Sequence, residues 1–170
     1  MLSKVLDKST CADCRFCCSF RRCSLWETPL FPEETMNRLS EADRGAVFVK
    51  HENDGKIYGQ MDLTGCYRTQ DSEEEAPCAF LDPDKGCMLS DEDKPFDCKI
   101  WPLRIMKKSG DNKCVIALTP TCPAINKVPL EKMKELVQEE LGEKIYAYAK
   151  EHPYIVKEYR EGFPVLMEKN

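Results

Sequence analysis

Apolar and polar positions alternate along Ala46-Val47-Phe48-Val49-Lys50 and again along Lys56-Ile57-Tyr58-Gly59-Gln60-Met61. Between them, Glu52-Asn53-Asp54-Gly55 ends in an Asp-Gly pair suited to positive φ, so the pattern predicts a hairpin. Leu103 to Lys108 and Lys113 to Leu118 flank Ser109-Gly110-Asp111-Asn112 and predict a second. Helical spacing occurs at both ends of the chain. Pro32 can open a helix over about 32–44, with Glu33 and Glu34 favourable in its first turn, Met36 and Leu39 inward, and Gly45 as the stop. Leu130, Met133, Leu136, Val137 and Leu141 form one stripe of an amphipathic helix over 130–141. A second helix is expected from Gly142 to about His152, interrupted or restarted at Pro153. Tyr146, Tyr148, Tyr154 and Tyr159 read as helix packing.

Other stretches have no period. Residues 11–23 read as a wrapped loop or broken helix, 70–76 as an acidic loop, and 78–102 as loops dense in Pro, Gly, Asp and Cys. The expected fold is α+β: a small irregular metal-stapled domain with cysteine-rich loops, two short hairpins and a C-terminal pair of helices. Its 170 residues suit a single domain over 1–170, with a cysteine-rich metal-binding core over 11–122 and a helical cover over 129–160.

A net charge of −5 with scattered basic residues argues against a duplex nucleic acid partner. No apolar run is long enough for a membrane span, and Met1 to Thr10 lacks the apolar stretch of a signal peptide. The reading is therefore cytoplasmic, where disulfides are rare, and eleven cysteines, an odd number, fit a closed disulfide framework poorly. Reduced and available thiols are expected.

Four of them, Cys11, Cys14, Cys17 and Cys18, fall within eight residues at spacing C-x2-C-x2-C-C. A tight turn through such a segment aims several sulfurs at one point, as short segments do when they hold zinc or an iron–sulfur cluster. Downstream come Pro77-Cys78-Ala79-Phe80-Leu81, Gly86-Cys87-Met88-Leu89 and Pro95-Phe96-Asp97-Cys98-Lys99-Ile100-Trp101-Pro102, then Thr119-Pro120-Thr121-Cys122-Pro123. The histidines, His51 and His152, lie outside these motifs and read as solvated or packed side chains. Cys23, Cys66 and Cys114 read as small packed hydrophobes. The sequence has no Gly-rich phosphate loop, no H-E-x-x-H and no G-x-S-x-G, which speaks against a stand-alone hydrolase or nucleotide enzyme.

This ordered set of cysteine motifs resembles the CxxCxxCC family of zinc- or iron-chelating domains, the YkgJ-like group. Phe16 replaces a frequent Gly and Lys94 a frequent Arg, and neither change touches a thiol. The resemblance implies Cys11, Cys14, Cys17, Cys18, Cys78, Cys87 and Cys98 as metal ligands, with Cys122 as an eighth. It implies chelation and no further activity. Zinc sites usually show paired C-x2-C knuckles, whereas a C-x2-C-x2-C triplet with a remote fourth thiol is nearer the ferredoxin pattern. The all-thiolate set favours an iron–sulfur cluster, [4Fe–4S] in type, for electron transfer or as an accessory to a redox or modification enzyme. The alternative is a zinc-stapled interaction module. Either reading calls for an unidentified protein or redox partner.

Overall fold

The computed structural model describes Val5, Thr10 and residues 13–42, 46–110 and 113–169. The chain gathers into two compact units, Arg15–Cys98 and, separately, Lys99–Asn170 together with Met1–Cys14.

In the Arg15–Cys98 unit, β1 (Ser19–Arg21), β2 (Leu30–Pro32), α1 (Glu33–Glu41), β3 (Phe48–Asn53), β4 (Lys56–Met61), β5 (Glu75–Pro77), β6 (Leu81–Asp82) and β7 (Gly86–Cys87) follow in order, and α2 (Phe96–Ile100) straddles the boundary. The predicted first hairpin is β3–β4, paired from Phe48↔Met61 to Asn53↔Lys56. Asp54 and Gly55 make the two-residue turn at φ 49° and 71°, which the right-handed twist of the strands favours. β2 adds to the other edge of β4, giving the order β2-β4-β3. Helix α1 ends at Glu41, where Ala42 N–H bonds to Arg38 O, short of the expected 44; the anticipated stop Gly45 lies outside the described residues. Met36 and Leu39 are buried as the spacing predicts. They join Phe20, Phe31, Met61, Leu63 and Phe80 in one core, in which the Phe31 ring stands 5.1 Å edge-on to Phe48 and 5.9 Å from Phe80.

Four short strands, β1, β5, β6 and β7, and the five-residue helix α2 stand where irregular chain is expected. β1 pairs antiparallel with β5, so the end of the acidic stretch and the end of the cysteine segment form a small sheet. The acidic side chains brace it: Glu73 meets Arg21 at 3.1 Å, Ser19 Oγ donates to Glu75 at 2.9 Å, and Glu74 accepts from the Arg68 and Thr69 amides. Three-residue strands separated by more than fifty positions leave no periodic trace in sequence.

In the other unit, β8 (Leu103–Lys107) and β9 (Cys114–Leu118) form the second predicted hairpin, whose turn residues Asp111 and Asn112 lie outside the described residues. The expected pair of helices is one helical run: α3 (Leu130–Leu136), a π turn over Val137–Leu141, and α4 (Gly142–Glu151). Gly142 allows the wide turn, because a Cβ there would stand 2.8 Å from Val137 O and would run into Met167 Sδ. Met133, Leu136, Val137 and Leu141 are buried as expected, but Leu130, in the first turn, is exposed. The tail departs from the helical reading. β10 (Lys157–Glu158) runs parallel to β8, and β11 (Val165–Lys169) pairs antiparallel with β9, completing the order β10-β8-β9-β11. Of the four tyrosines read as helix packing, Tyr146 and Tyr148 lie on α4, Tyr154 in the short turn Pro153–Ile155, and Tyr159 just beyond β10. Tyr146 Oη lies between the sheet carbonyls of Cys114 and Met167, at 3.1 and 3.3 Å.

Candidate metal centre

The cysteine segment turns on Arg15, which holds φ 51° and ψ 7°, a left-handed conformation uncommon for a residue with a Cβ. Cys18 N–H bonds back to Arg15 O at 2.9 Å, and Phe16–Cys18 close into a 3₁₀ turn. β1 starts at the next residue. Its register with β5, Ser19 opposite Pro77, carries the pairing one step further, and Cys78 N–H bonds to Cys18 O at 2.8 Å. The chain then turns, with Leu81 N–H on Cys78 O at 3.0 Å. β6 pairs with β7, so that Leu81 faces Cys87, and Met88 N–H closes on Phe80 O at 2.8 Å. Three short segments thus lie side by side. Cys17, Cys18, Cys78 and Cys87 become neighbours through backbone pairing alone.

Their electrostatics differ sharply. A hydrogen bond from Cys17 holds the Cys18 thiol down at about 7, against burial, with help from Lys94 and Arg15. Burial pushes the Cys78 thiol up to about 12; the Cys18 and Cys87 sulfurs act the same way, and the Phe80 amide acts against them. Adjacent Cys17 and Cys18 are thus bonded to each other. Cys78 Sγ also lies 3.8 Å from Met61 Sδ. Among the described residues, no three His, Cys, Asp or Glu side chains converge as a ready ion cage. Closure of the four thiols on one centre would take side-chain rotation. Their chemistry fits such a centre: soft sulfur donors, two nearby cations to offset thiolate charge, and an apolar wall containing buried Phe20 and Phe80.

The other expected ligands are Cys11, Cys14, Cys98 and Cys122. Cys11 lies outside the described residues. Exposed Cys14 and buried Cys122 belong to the Lys99–Asn170 unit, and half-buried Cys98 sits on α2 with its N–H on Pro95 O. Cys23 and Cys66, read as packed hydrophobes, are exposed, and Cys23 Sγ donates to Glu73 at 3.2 Å; Cys114 is half-buried. The arginines take different work as well. Arg21 and Arg22 serve the acidic stretch, and Arg104 lies 4.6 Å over the Trp101 ring, leaving Arg15 as the arginine that acts on Cys18. His51 stacks on Tyr58, and His152 packs between Tyr148 and Tyr154. Lys94 and Met61 escape a sequence reading, since only strand register and loop path bring them to the sulfurs.

The chain matches no protein-family model, no curated protein and no solved structure. Among the described residues, no helix is long and apolar enough to cross a membrane.

Proposed function

We propose that this chain holds a thiophilic metal centre on clustered cysteines and serves as an electron carrier or as an accessory to a redox or modification enzyme. The observation that carries the reading is the β1–β5 register, which lays Cys17 and Cys18 against Cys78, with Cys87 added through β6–β7. The resemblance to the CxxCxxCC group supports it, and Cys11, Cys14, Cys98 and Cys122 extend the candidate ligand set on that resemblance. An all-thiolate donor set favours an iron–sulfur cluster, which supplies reversible one-electron transfer when bound. The residues here would hold it, offset its charge through Arg15 and Lys94, and exclude water with Phe20 and Phe80. The short, irregular elements over 64–95 favour zinc as the second reading, because such a stretch gains most from a structural metal. Reduced thiols suit a cytoplasmic setting.

The test is iron, zinc and acid-labile sulfide content with a visible spectrum, on the full chain purified without oxygen. Iron with sulfide establishes the redox centre; stoichiometric zinc without colour makes it a staple. Cys78→Ala and Cys87→Ala should each lower metal content and stability, whereas Cys114→Ala should change little. Cys87 is exposed, so its truncation tests ligation with little cost to packing. Unchanged metal per chain in both would overturn the ligand assignment.

A further inference from the structure

The thiol group has a fifth sulfur that the cysteine pattern does not contain. Met61 ends β4, is 5% exposed, and places Sδ 3.8 Å from Cys78 Sγ. Ordinary packing reaches that distance, and so do two ligands of one ion. Bonds of about 2.3 Å to a tetrahedral ion set neighbouring sulfurs about 3.8 Å apart. The thioether distinguishes among metals. Structural zinc and iron–sulfur clusters take thiolates, whereas a thiolate with a thioether is a donor pair for Cu(I).

We propose that Cys78 and Met61, with a further thiolate from Cys18 or Cys87, form a Cu(I) site. This rests on the clustered-thiol reading above and adds a metal that the cysteine motif does not name. The site is soft throughout. No histidine lies in this group, and Asp82, opposite Gly86 in the β6–β7 pair, turns its Oδ1 to the Asp84 and Lys85 amides at 2.8 Å each. Binding involves no change of oxidation state: Cu(I) enters as Cu(I), the Cys78 thiol releases its proton to solvent, and the Met61 sulfur donates a lone pair.

The experiment titrates the reduced, metal-free full chain without oxygen. Cu(I) is delivered against the chromogenic chelator bicinchoninate, and Co(II) separately reports thiolate ligation through its charge-transfer band. Met61→Leu keeps the apolar volume, with folding checked by circular dichroism. The expected result is a loss of Cu(I) affinity of roughly tenfold or more in Met61→Leu, the scale on which a perturbed metal shell is felt. Co(II) binding should stay within about twofold, since thiolates alone carry it. If Met61→Leu binds Cu(I) as the natural chain does, or loses both metals equally, the thioether is packing only and the proposal fails. In that case Cys87→Ala with reduced Co(II) binding leaves the clustered-thiol reading standing. If Cys78→Ala and Cys87→Ala both bind Co(II) and Cu(I) unchanged, both readings fall together.

Discussion

Truncating Phe31 should do more damage to the thiol-bearing unit than any other single core change. Its ring is fully buried on β2, paired in register with Gly59, edge-on to Phe48 and in contact range of Phe80. Burial of such a side chain is worth roughly 1.5–3 kcal/mol. The two ring pairs add about 0.5–1.5 kcal/mol each, part of it already counted as area. A cavity left between Met36 and Phe80 brings Phe31→Ala to about 4 kcal/mol, inside the usual range for Phe→Ala. Against a typical total of about 5–15 kcal/mol, that is a large share. Phe31→Leu keeps most of the volume and should cost about 1.5 kcal/mol. Because the Phe80 amide bonds to Cys78 and Met88 bonds to Phe80, the loss should reach the thiols. The assay is urea unfolding combined with amide exchange by mass spectrometry on peptides spanning β3 and β4, which reports this unit alone. Protection in those peptides should drop by the full amount. A Phe31→Ala variant within about 1 kcal/mol of the natural chain would refute this account of the core.

Two further outcomes follow from single positions. Gly142→Ala should destabilise its unit by about 1–3 kcal/mol despite alanine's better helix propensity, because the new Cβ meets Val137 O at 2.8 Å and a backbone carbonyl cannot move aside as a side chain does; thermal melts showing a gain would sink the argument. Glu74 is held down at about 2 by the Arg68 amide and the Thr69 hydroxyl, against an ordinary 4.5. A depressed folded pKa gives stability present above the unfolded value and lost as pH falls through the folded one, so acid sensitivity should lie between about 4.5 and 2. Glu74→Gln should flatten that limb in exchange measured over 19–23 and 68–77, and an unchanged limb would mean that the β1–β5 brace is not what titrates.

What sequence could show depended on the range of the physics involved. The β3–β4 hairpin was legible because Asp54-Gly55 sets its turn locally and the flanking residues alternate. Helix α1 and the stripe Met133, Leu136, Val137 and Leu141 were legible for the same reason, since their signal lies within a few turns. The single helical run was not, because its π turn depends on how Gly142 sits beneath Met167 of a distant strand. The tail strands were hidden too. Lys157–Glu158 is two residues long, and Val165–Lys169 carries an irregular register at Leu166, so neither shows a clean period of two.

The thiol site divides along the same line. Cysteine identity is written in the chain, but proximity is made by β1–β5, whose three-residue strands find remote partners, and by β6–β7, whose two-residue strands are too short to show a period. Such short ladders contribute few hydrogen bonds, and the two-residue pair has no core of its own. Their geometry must therefore be held by what surrounds them: the Glu73, Glu74 and Glu75 contacts on one side and the Phe20, Phe80 and Met61 core on the other. Cys78 sits where these supports meet, its amide in the ladder and its sulfur on Met61. A metal bound there would draw on both supports at once. It follows that metal content and the stability of the Arg15–Cys98 unit should change together in Cys78→Ala, and that the exposed Cys87→Ala should lower metal first and stability less.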